Sequence, residues 1–205
     1  MKKHVIFLIT FLGLLIILFI ITGNNKQNKS LDEKQIIRDH IKEEGFYFDE
    51  DSDCYKKNIS DNTLDDYYLL VKDKKKALYE ELYFYLDQQR LNLETEKYEN
   101  VYYLNKVKME YEGDIYRNYS SDYNLVDKVI SYKYDVTMFS SSMIVSGTYN
   151  EEEDEFTCEV ASNKDMNESS KNVFCTRAEY ETNLFLQQIR DLIDNPEFTD
   201  AIYGK

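Results

Sequence analysis

The sequence predicts an α+β protein: an N-terminal transmembrane helix, then a single extracytoplasmic domain of helices packed on an antiparallel three- or four-stranded β-meander, with a C-terminal helix. Three observations predict this class. An uninterrupted apolar run occupies residues 5–21. Apolar residues recur at helical spacing in three later segments. Alternating apolar and polar residues fill much of the stretch from 99 to 160.

The apolar run predicts a membrane anchor. As a helix it would be roughly 25 Å long, close to the bilayer's hydrocarbon thickness of about 30 Å. A cleaved secretory signal is the alternative, but the run exceeds the usual apolar region of a signal and no small-residue cleavage site follows it. Lys2 and Lys3 favour a cytoplasmic N-terminus. We therefore expect a basic cytoplasmic end at 1–4, a signal-anchor at 5–22, a linker at 23–30 and one extracytoplasmic domain at 31–205.

The domain beyond the anchor is strongly acidic. The formal net charge is −14, and it is −16 beyond the apolar run, because Lys2 and Lys3 precede that run and every acidic residue follows it. Such a surface repels nucleic acid and anionic lipid headgroups, and it favours cations or basic peptides. The other interpretation is that the acidity serves solubility.

The three cysteines predict one disulfide. A disulfide is permitted outside the membrane, and an odd number of cysteines leaves one thiol over. Cys158 and Cys175 are the expected pair, because each lies beside apolar residues and the segment between them is polar. Closing a loop of this size stabilises by about 3 kcal/mol on the chain-entropy model. Cys54 remains unpaired, and the alternative is that all three cysteines are reduced.

The first part of the domain predicts a helix and a loop. An apolar stripe and the helix-ending Gly45 indicate a helix at 31–44, on which His40 is expected to face solvent. Residues 46–60 are polar and predict an irregular loop. Within it, Asp49, Asp51 and Asp53 follow the spacing of a calcium loop, but Cys54 stands where the sharp turn needs glycine. A solvated acidic loop is therefore the main interpretation, and a cation site is the alternative.

Residues 64–93 predict one amphipathic helix, or two helices broken near residue 74. Apolar residues recur there at spacings of three, four and seven. The alternative is a strand at 67–72 followed by a helix from Lys75. Tyr79, Tyr83 and Tyr85 are expected to pack in or around the core rather than to form a recognition surface.

The remaining chain predicts the meander and the last helix. Strands are expected at about 99–111, 127–139, 142–150 and 156–160, with one sheet face buried and the other solvated. A turn is expected at Gly113 and Asp114, an acidic hairpin tip at 151–155, and a bulge or bend at Gly147. A helix at 177–194 ends at Asn195 and Pro196, and the short tail is expected to pack loosely.

The sequence offers no catalytic set. Only His4 and His40 are histidines, no zinc spacing or phosphate-binding glycine loop occurs, and no carboxylate pair stands out among the acidic residues. We therefore expect no enzyme activity, no cofactor, no metal and no nucleic-acid partner. The expected function is that of a membrane-tethered interaction component of a cell-envelope complex, which binds a protein partner. The alternative is an acidic capture or immunity-type module for a cationic peptide or a metal cation.

Overall fold

The computed structural model describes residues 33–203. Within them lie four helices: α1 (33–43), α2 (Leu64–Lys72), α3 (Glu168–Ile193) and α4 (Pro196–Tyr203). The strands are β1 (Tyr47–Asp49), β2 (Cys54–Asn58), β3 (Ala77–Asn92), β4 (Lys97–Glu112), β5 (Ile115–Asn124), β6 (Val129–Met138), β7 (Ser141–Asn150), β8 (Glu155–Phe156) and β9 (Glu159–Ser162). The predicted α+β class and C-terminal helix are confirmed.

None of the helices within residues 33–203 combines the length and the apolar character needed to cross a membrane. The predicted cytoplasmic end at 1–4, the signal-anchor at 5–22 and the linker at 23–30 lie outside the described residues, as do the first two residues of the helix expected at 31–44.

The strands form one antiparallel meander. Strands β1 to β8 neighbour one another in chain order, and β9 pairs with β7 beside β8. The prediction of three or four strands is therefore wrong. It missed β1 and β2 in the expected loop at 46–60, β3 in the expected helix and β5 in the unassigned stretch after Gly113. The strands predicted at 127–139 and 142–150 correspond to β6 and β7, and that part is confirmed.

The predicted helix at 64–93 is wrong beyond residue 72. Helix α2 ends at Lys72, and Lys74 turns the chain at φ 55°, so the predicted break is confirmed, but β3 follows instead of a helix. The alternative, a strand at 67–72 and then a helix, is wrong in both halves. Both faces of β3 are covered, with Phe84 on one side and Tyr79 on the other. Apolar residues therefore fall at odd and even positions, and the alternation that marks a strand is lost.

The sheet carries helices on both faces. Helices α1, α3 and α4 cover one face and form the main core with it. Members of this core include Ile37, Phe84, Leu104, Ile130, Val145, Phe185 and Phe198. Helix α2 packs on the end of the opposite face, where Tyr67 contacts Ala77, Tyr79 and Tyr111. The expectation that one sheet face is buried and the other solvated is therefore wrong where α2 packs.

The end of the chain is more ordered than predicted. Helix α3 begins at Glu168 rather than at 177, with Asn167 as its N-cap. The expected loose tail is helix α4, in which Phe198 is fully buried. The side-chain oxygen of Asn195 accepts hydrogen bonds from the backbone N–H groups of Glu197 and Phe198, and Pro196 occupies the first helical turn. A cap and a first-turn proline start a helix where the sequence indicated only a stop.

Gly147 is the site of a close backbone approach. Strand β7 runs through it in unbroken register with β6, so the predicted bulge is absent, and the alternative bend stays a prediction. The pairing of the last strand with β7 is interrupted between β8 and β9, opposite Gly147. A Cβ atom at Gly147 would lie 2.0 Å from the carbonyl oxygen of Thr157 and 2.7 Å from the hydroxyl of Tyr132. Glycine therefore permits a close backbone approach at this position.

The β3–β4 hairpin extends beyond its neighbouring strands. Strand β2 pairs with β3 at 81–84, and β5 pairs with β4 at 103–112. After a bulge between Tyr85 and Gln88, residues 88–92 and 97–101 find their strand partners, among residues 33–203, only in each other. We call residues 88–101 the β3–β4 arm. It carries three exposed apolar side chains: Leu91, Leu93 and Tyr98.

Candidate interaction sites

The predicted disulfide is present. Cys158 and Cys175 are bonded, with their Cα atoms 5.9 Å apart, and the bond links the segment before β9 to helix α3. Cys54 is the unpaired cysteine, as expected. It is buried in β2, and its Sγ lies 3.2 Å from the hydroxyl of Ser52.

The three aspartates of the possible calcium loop lie at a hairpin turn. Asp49 at the end of β1 pairs with Lys56 at 2.5 Å and accepts a hydrogen bond from Ser52. The lysine and the hydroxyl lower the pKa of Asp49. Asp51 is exposed, and Asp53 turns the chain with φ 50°. Across residues 33–203, no group of three or more His, Cys, Asp or Glu side chains is arranged to hold a metal ion.

His40 is buried, which corrects the expectation that it faces solvent. Its Nε2 lies 2.8 Å from the carbonyl oxygen of Leu192, and its Nδ1 lies 3.3 Å from the amide nitrogen of Asn195. The ring packs against Phe198, with centroids 4.6 Å apart. The burial of His40 was not predicted because the tail was expected to pack loosely. Residues 196–203 instead fold as α4 and cover this side of α1.

A charged network lies between α3 and the sheet. Glu181 of α3 is 2% exposed and accepts from Lys108 of β4 at 3.0 Å and from Arg177 at 2.6 Å. Lys106, 1% exposed, pairs with Glu80 and donates to Gln188 at 3.0 Å. We call these residues, together with Glu110, the α3 network. Buried charges are tolerated only when each has partners of this kind.

The network shifts the ionisation of Lys108. Burial alone lowers its pKa, but the hydrogen bonds and charges of Glu181 and Glu110 outweigh burial and raise the pKa above its ordinary value. Beside the network, burial raises the pKa of Tyr119 to about 12, although its hydroxyl lies 3.0 Å from that of Thr182. Both groups therefore hold their protons more firmly in the folded chain.

A cleft of about 600 Å³ opens at the end of this network. Its walls come from the first residues of β3, the last of β4, strands β5 and β6, and the first half of α3. The lining includes Lys76, Leu78, Glu110, Glu112, Arg117, Tyr134, Val173, Phe174 and Arg177. We call it the α3 cleft. Three basic and two acidic side chains line it, so its charge contrasts with the acidic chain as a whole.

The sheet face opposite α3 carries tyrosines around a buried carboxylate. Glu81 is 6% exposed and accepts a 2.6 Å hydrogen bond from the hydroxyl of Tyr79. Burial, followed by hydrogen bonding to Glu81, raises the pKa of Tyr79 and of Tyr83. Tyr47, on the edge strand β1, is 55% exposed, and its pKa is raised by burial and by Glu81.

The pairing register places one set of side chains on the same side of β1 to β4. We call this surface the tyrosine face, and its members are Tyr47, Lys56, Tyr79, Glu81, Tyr83, Tyr85 and Tyr103. Its signal in the sequence is the set of tyrosines at the odd positions 79, 83 and 85, which a strand places on one face. That signal is typical of a strand. It was missed because the segment was predicted to be helical.

No family model, no curated protein and no solved structure matches this chain. The described surfaces offer aromatic rings, carboxylates and a cation-lined cleft. Such groups bind partners by charge, hydrogen bonds and packing.

Proposed function

We propose that this protein is a membrane-anchored, extracytoplasmic interaction component of the cell envelope that acts by binding a protein partner rather than by catalysis. The observation that supports this most is the tyrosine face. Tyrosine is enriched in protein interfaces because its ring buries apolar area while its hydroxyl hydrogen-bonds. Tyr47 is 55% exposed, and Tyr83, Tyr85 and Tyr103 are half-buried.

The partner presents basic side chains to this face. The chain carries a net charge of −14, and the face contains Glu81 and, at its edge, Asp49, against the one cation Lys56, which pairs with Asp49. The Nζ of Lys56 lies 5.6 Å from the centroid of the Tyr83 ring, so a cation already sits against one of these rings. Aromatic faces attract ammonium and guanidinium groups electrostatically. A lysine- or arginine-bearing surface is the complementary partner.

The anchor is residues 5–22, with the domain outside the membrane. Two observations support this placement: the apolar run itself and the Cys158–Cys175 disulfide, which suits an oxidising compartment. Mass spectrometry of the mature N-terminus tests it. An intact N-terminus is expected, and a chain that starts near Gly23 or Asn24 would overturn the anchored reading.

Partner capture tests the binding function. The full chain, fused to a proximity-labelling enzyme, should mark a reproducible membrane-associated protein, and pull-downs should recover the same protein. Tyr47→Ser should reduce that recovery severalfold. Tyr180→Ser is the matched control, because Tyr180 is 51% exposed on α3, away from the tyrosine face. Absence of a reproducible partner, or equal loss with both variants, would exclude this function.

Capture of a cationic peptide is the second candidate, and it uses the same face. It is favoured by the carboxylate of Glu81 beneath the rings. Binding of an oligo-lysine peptide that weakens as salt rises, with no protein partner recovered from membranes, would support capture over complex assembly. Peptide binding that is indifferent to salt and charge would exclude it.

A further inference from the structure

The tip of the β3–β4 arm and the α3 cleft lie at opposite ends of one hairpin. The cleft begins at Ala77 and Leu78, where β3 starts, and at Glu112, where β4 ends. Each strand has 16 residues, which at about 3.3 Å per residue separates the tip from the cleft by roughly 50 Å. The tip of one chain therefore cannot enter its own cleft.

The tip presents an apolar side chain together with two carboxylates. Leu93 is 84% exposed, and Glu94 and Glu96 are exposed beside it. The side-chain oxygen of Asn92 accepts hydrogen bonds from the backbone N–H groups of Glu94 and Thr95 at 2.9 and 3.1 Å. The turn is therefore held in one shape at the end of a projecting ribbon. The ribbon's two strands pair with each other, and no further described strand pairs with its outer edges, so the exposed leucine stands on a surface that a partner can cover.

The cleft has the complementary features. Val173 and Leu78 are 64% and 36% exposed at its walls, and the three cations of its lining outnumber its two carboxylates, Glu110 and Glu112. The Nζ of Lys76 lies 3.3 Å from Glu112, and the guanidinium of Arg117 lies 3.9 Å from Glu110. Both distances are longer than the roughly 2.7–2.9 Å of a close charge-assisted hydrogen bond. Its volume of about 600 Å³ suits a short loop tip, because ordinary binding clefts span about 300–1,000 Å³.

We propose that the arm tip of one chain inserts into the α3 cleft of a second copy. Leu93 packs against Leu78 and Val173, while Glu94 and Glu96 face Lys76 and Arg117. Because tip and cleft are different surfaces, the contact is heterologous and joins copies head to tail into rows. The tyrosine face takes no part in this contact. A result that excludes the assembly would therefore leave the proposed partner binding unaffected, and the reverse also holds.

Two complementary variants of the full chain test this arrangement. The tip variant is Leu93→Ser with Glu94→Lys, and it keeps an intact cleft. The cleft variant is Lys76→Glu with Arg117→Glu, and it keeps an intact tip. Arg177 is left unchanged because it pairs with the buried Glu181. In detergent micelles, sedimentation should show that the unmodified chain, the parent, assembles as its concentration rises. Each variant alone should stay monomeric. An equimolar mixture of the two variants should form dimers that do not grow further, because only one intact tip–cleft pair is possible.

Charge controls and a peptide complete the test. Glu153→Lys and Lys164→Glu change exposed charges elsewhere and should leave assembly unchanged. A cyclised synthetic peptide spanning residues 89–100 should dissociate the parent assembly and should bind the tip variant but not the cleft variant. Any one of four results would overturn the proposal: a parent that stays monomeric, variants that assemble as the parent does, a mixture that stays monomeric, or a peptide without effect. Circular dichroism establishes that both variants are folded, and the peptide test on the parent remains decisive if one is not.

Discussion

His40 and Leu192 lie 152 residues apart in the chain, yet the imidazole Nε2 of His40 donates a hydrogen bond to the carbonyl oxygen of Leu192 over 2.8 Å. The tautomer follows from the network around the ring. The side-chain oxygen of Asn195 caps α4, so its amide nitrogen faces Nδ1 of His40, which accepts. Leu192 lies in the last turn of α3, where carbonyls lack partners within the helix. His40 thus ties α1 to the junction of α3 and α4.

Replacing this histidine should loosen that junction. We expect His40→Ala to destabilise the fold by about 2–3 kcal/mol, because the carbonyl of Leu192 and the amide of Asn195 lose a buried partner and Phe198 loses a packing contact. Denaturant titration followed by tyrosine fluorescence measures the change, since the chain has 19 Tyr and no Trp. Asp39→Ala, at an exposed position on the same helix, should stay within about 0.5 kcal/mol. An equal effect of both would refute the special role of His40.

A side chain at Gly147 should destabilise the fold. Gly147→Ala places a methyl group 2.0 Å from the Thr157 carbonyl oxygen, so β8 or β9 must move. We expect a loss of about 1–3 kcal/mol in thermal or chemical unfolding. Gly113→Asn is the comparison, because Gly113 has φ 57° with open space around it and asparagine tolerates that conformation. That substitution should be nearly neutral, and a neutral Gly147→Ala would contradict the close approach.

Removing the disulfide should weaken the contact between the β9 region and α3. We expect Cys158→Ser with Cys175→Ser to lower the free energy of unfolding by about 3 kcal/mol, because the open chain regains loop entropy. Reductant should have the same effect on the parent and none on the double variant. Thiol titration of the denatured, unreduced parent should yield one reactive group, Cys54. Three reactive groups would show that the bond does not form.

Breaking the α3 network from one side should be worse than removing both charges. We expect Lys108→Met to cost about 1–3 kcal/mol, because Glu181, 2% exposed, loses its 3.0 Å partner and keeps only Arg177 at 2.6 Å. Lys108→Met combined with Glu181→Leu should recover part of that loss, since the buried carboxylate that lost a partner is then absent. Arg177 must then turn to solvent. A double-mutant cycle measures the coupling, and simple additivity would argue against it.

The chain should lose stability in alkali. The raised pKa values of Lys108 and Tyr119 mean that both groups keep their protons in the folded state after the unfolded chain begins to release them near pH 10. Their contribution is complete below that pH and is lost as the pH rises, for Tyr119 through about 12. Tyr119→Phe should reduce the fall of the unfolding free energy with rising pH by up to about 1.4 kcal/mol per pH unit. The same variant at pH 7 is the control for the lost hydrogen bond to Thr182. An unchanged alkaline slope would refute the assignment.

Predictions from the sequence succeeded where one local signal was enough. The pairing of Cys158 with Cys175 and the hairpin of β6 and β7 each depend on neighbouring residues, and each is confirmed. The prediction failed at β3, because the spacing of Leu78, Leu82 and Leu86 fits a helix as well as one face of a strand.

The candidate sites were hidden for the same reason. Glu81 meets Tyr79 only if their segment is extended, and Glu181 meets Lys108 only once α3 lies across β4. A charge in an exposed helix and a charge in a buried network look identical along the chain. The sequence by itself therefore determined the fold class, the disulfide and the acidic character. Only the tertiary structure decided which charges are buried, because burial depends on which distant element covers each residue.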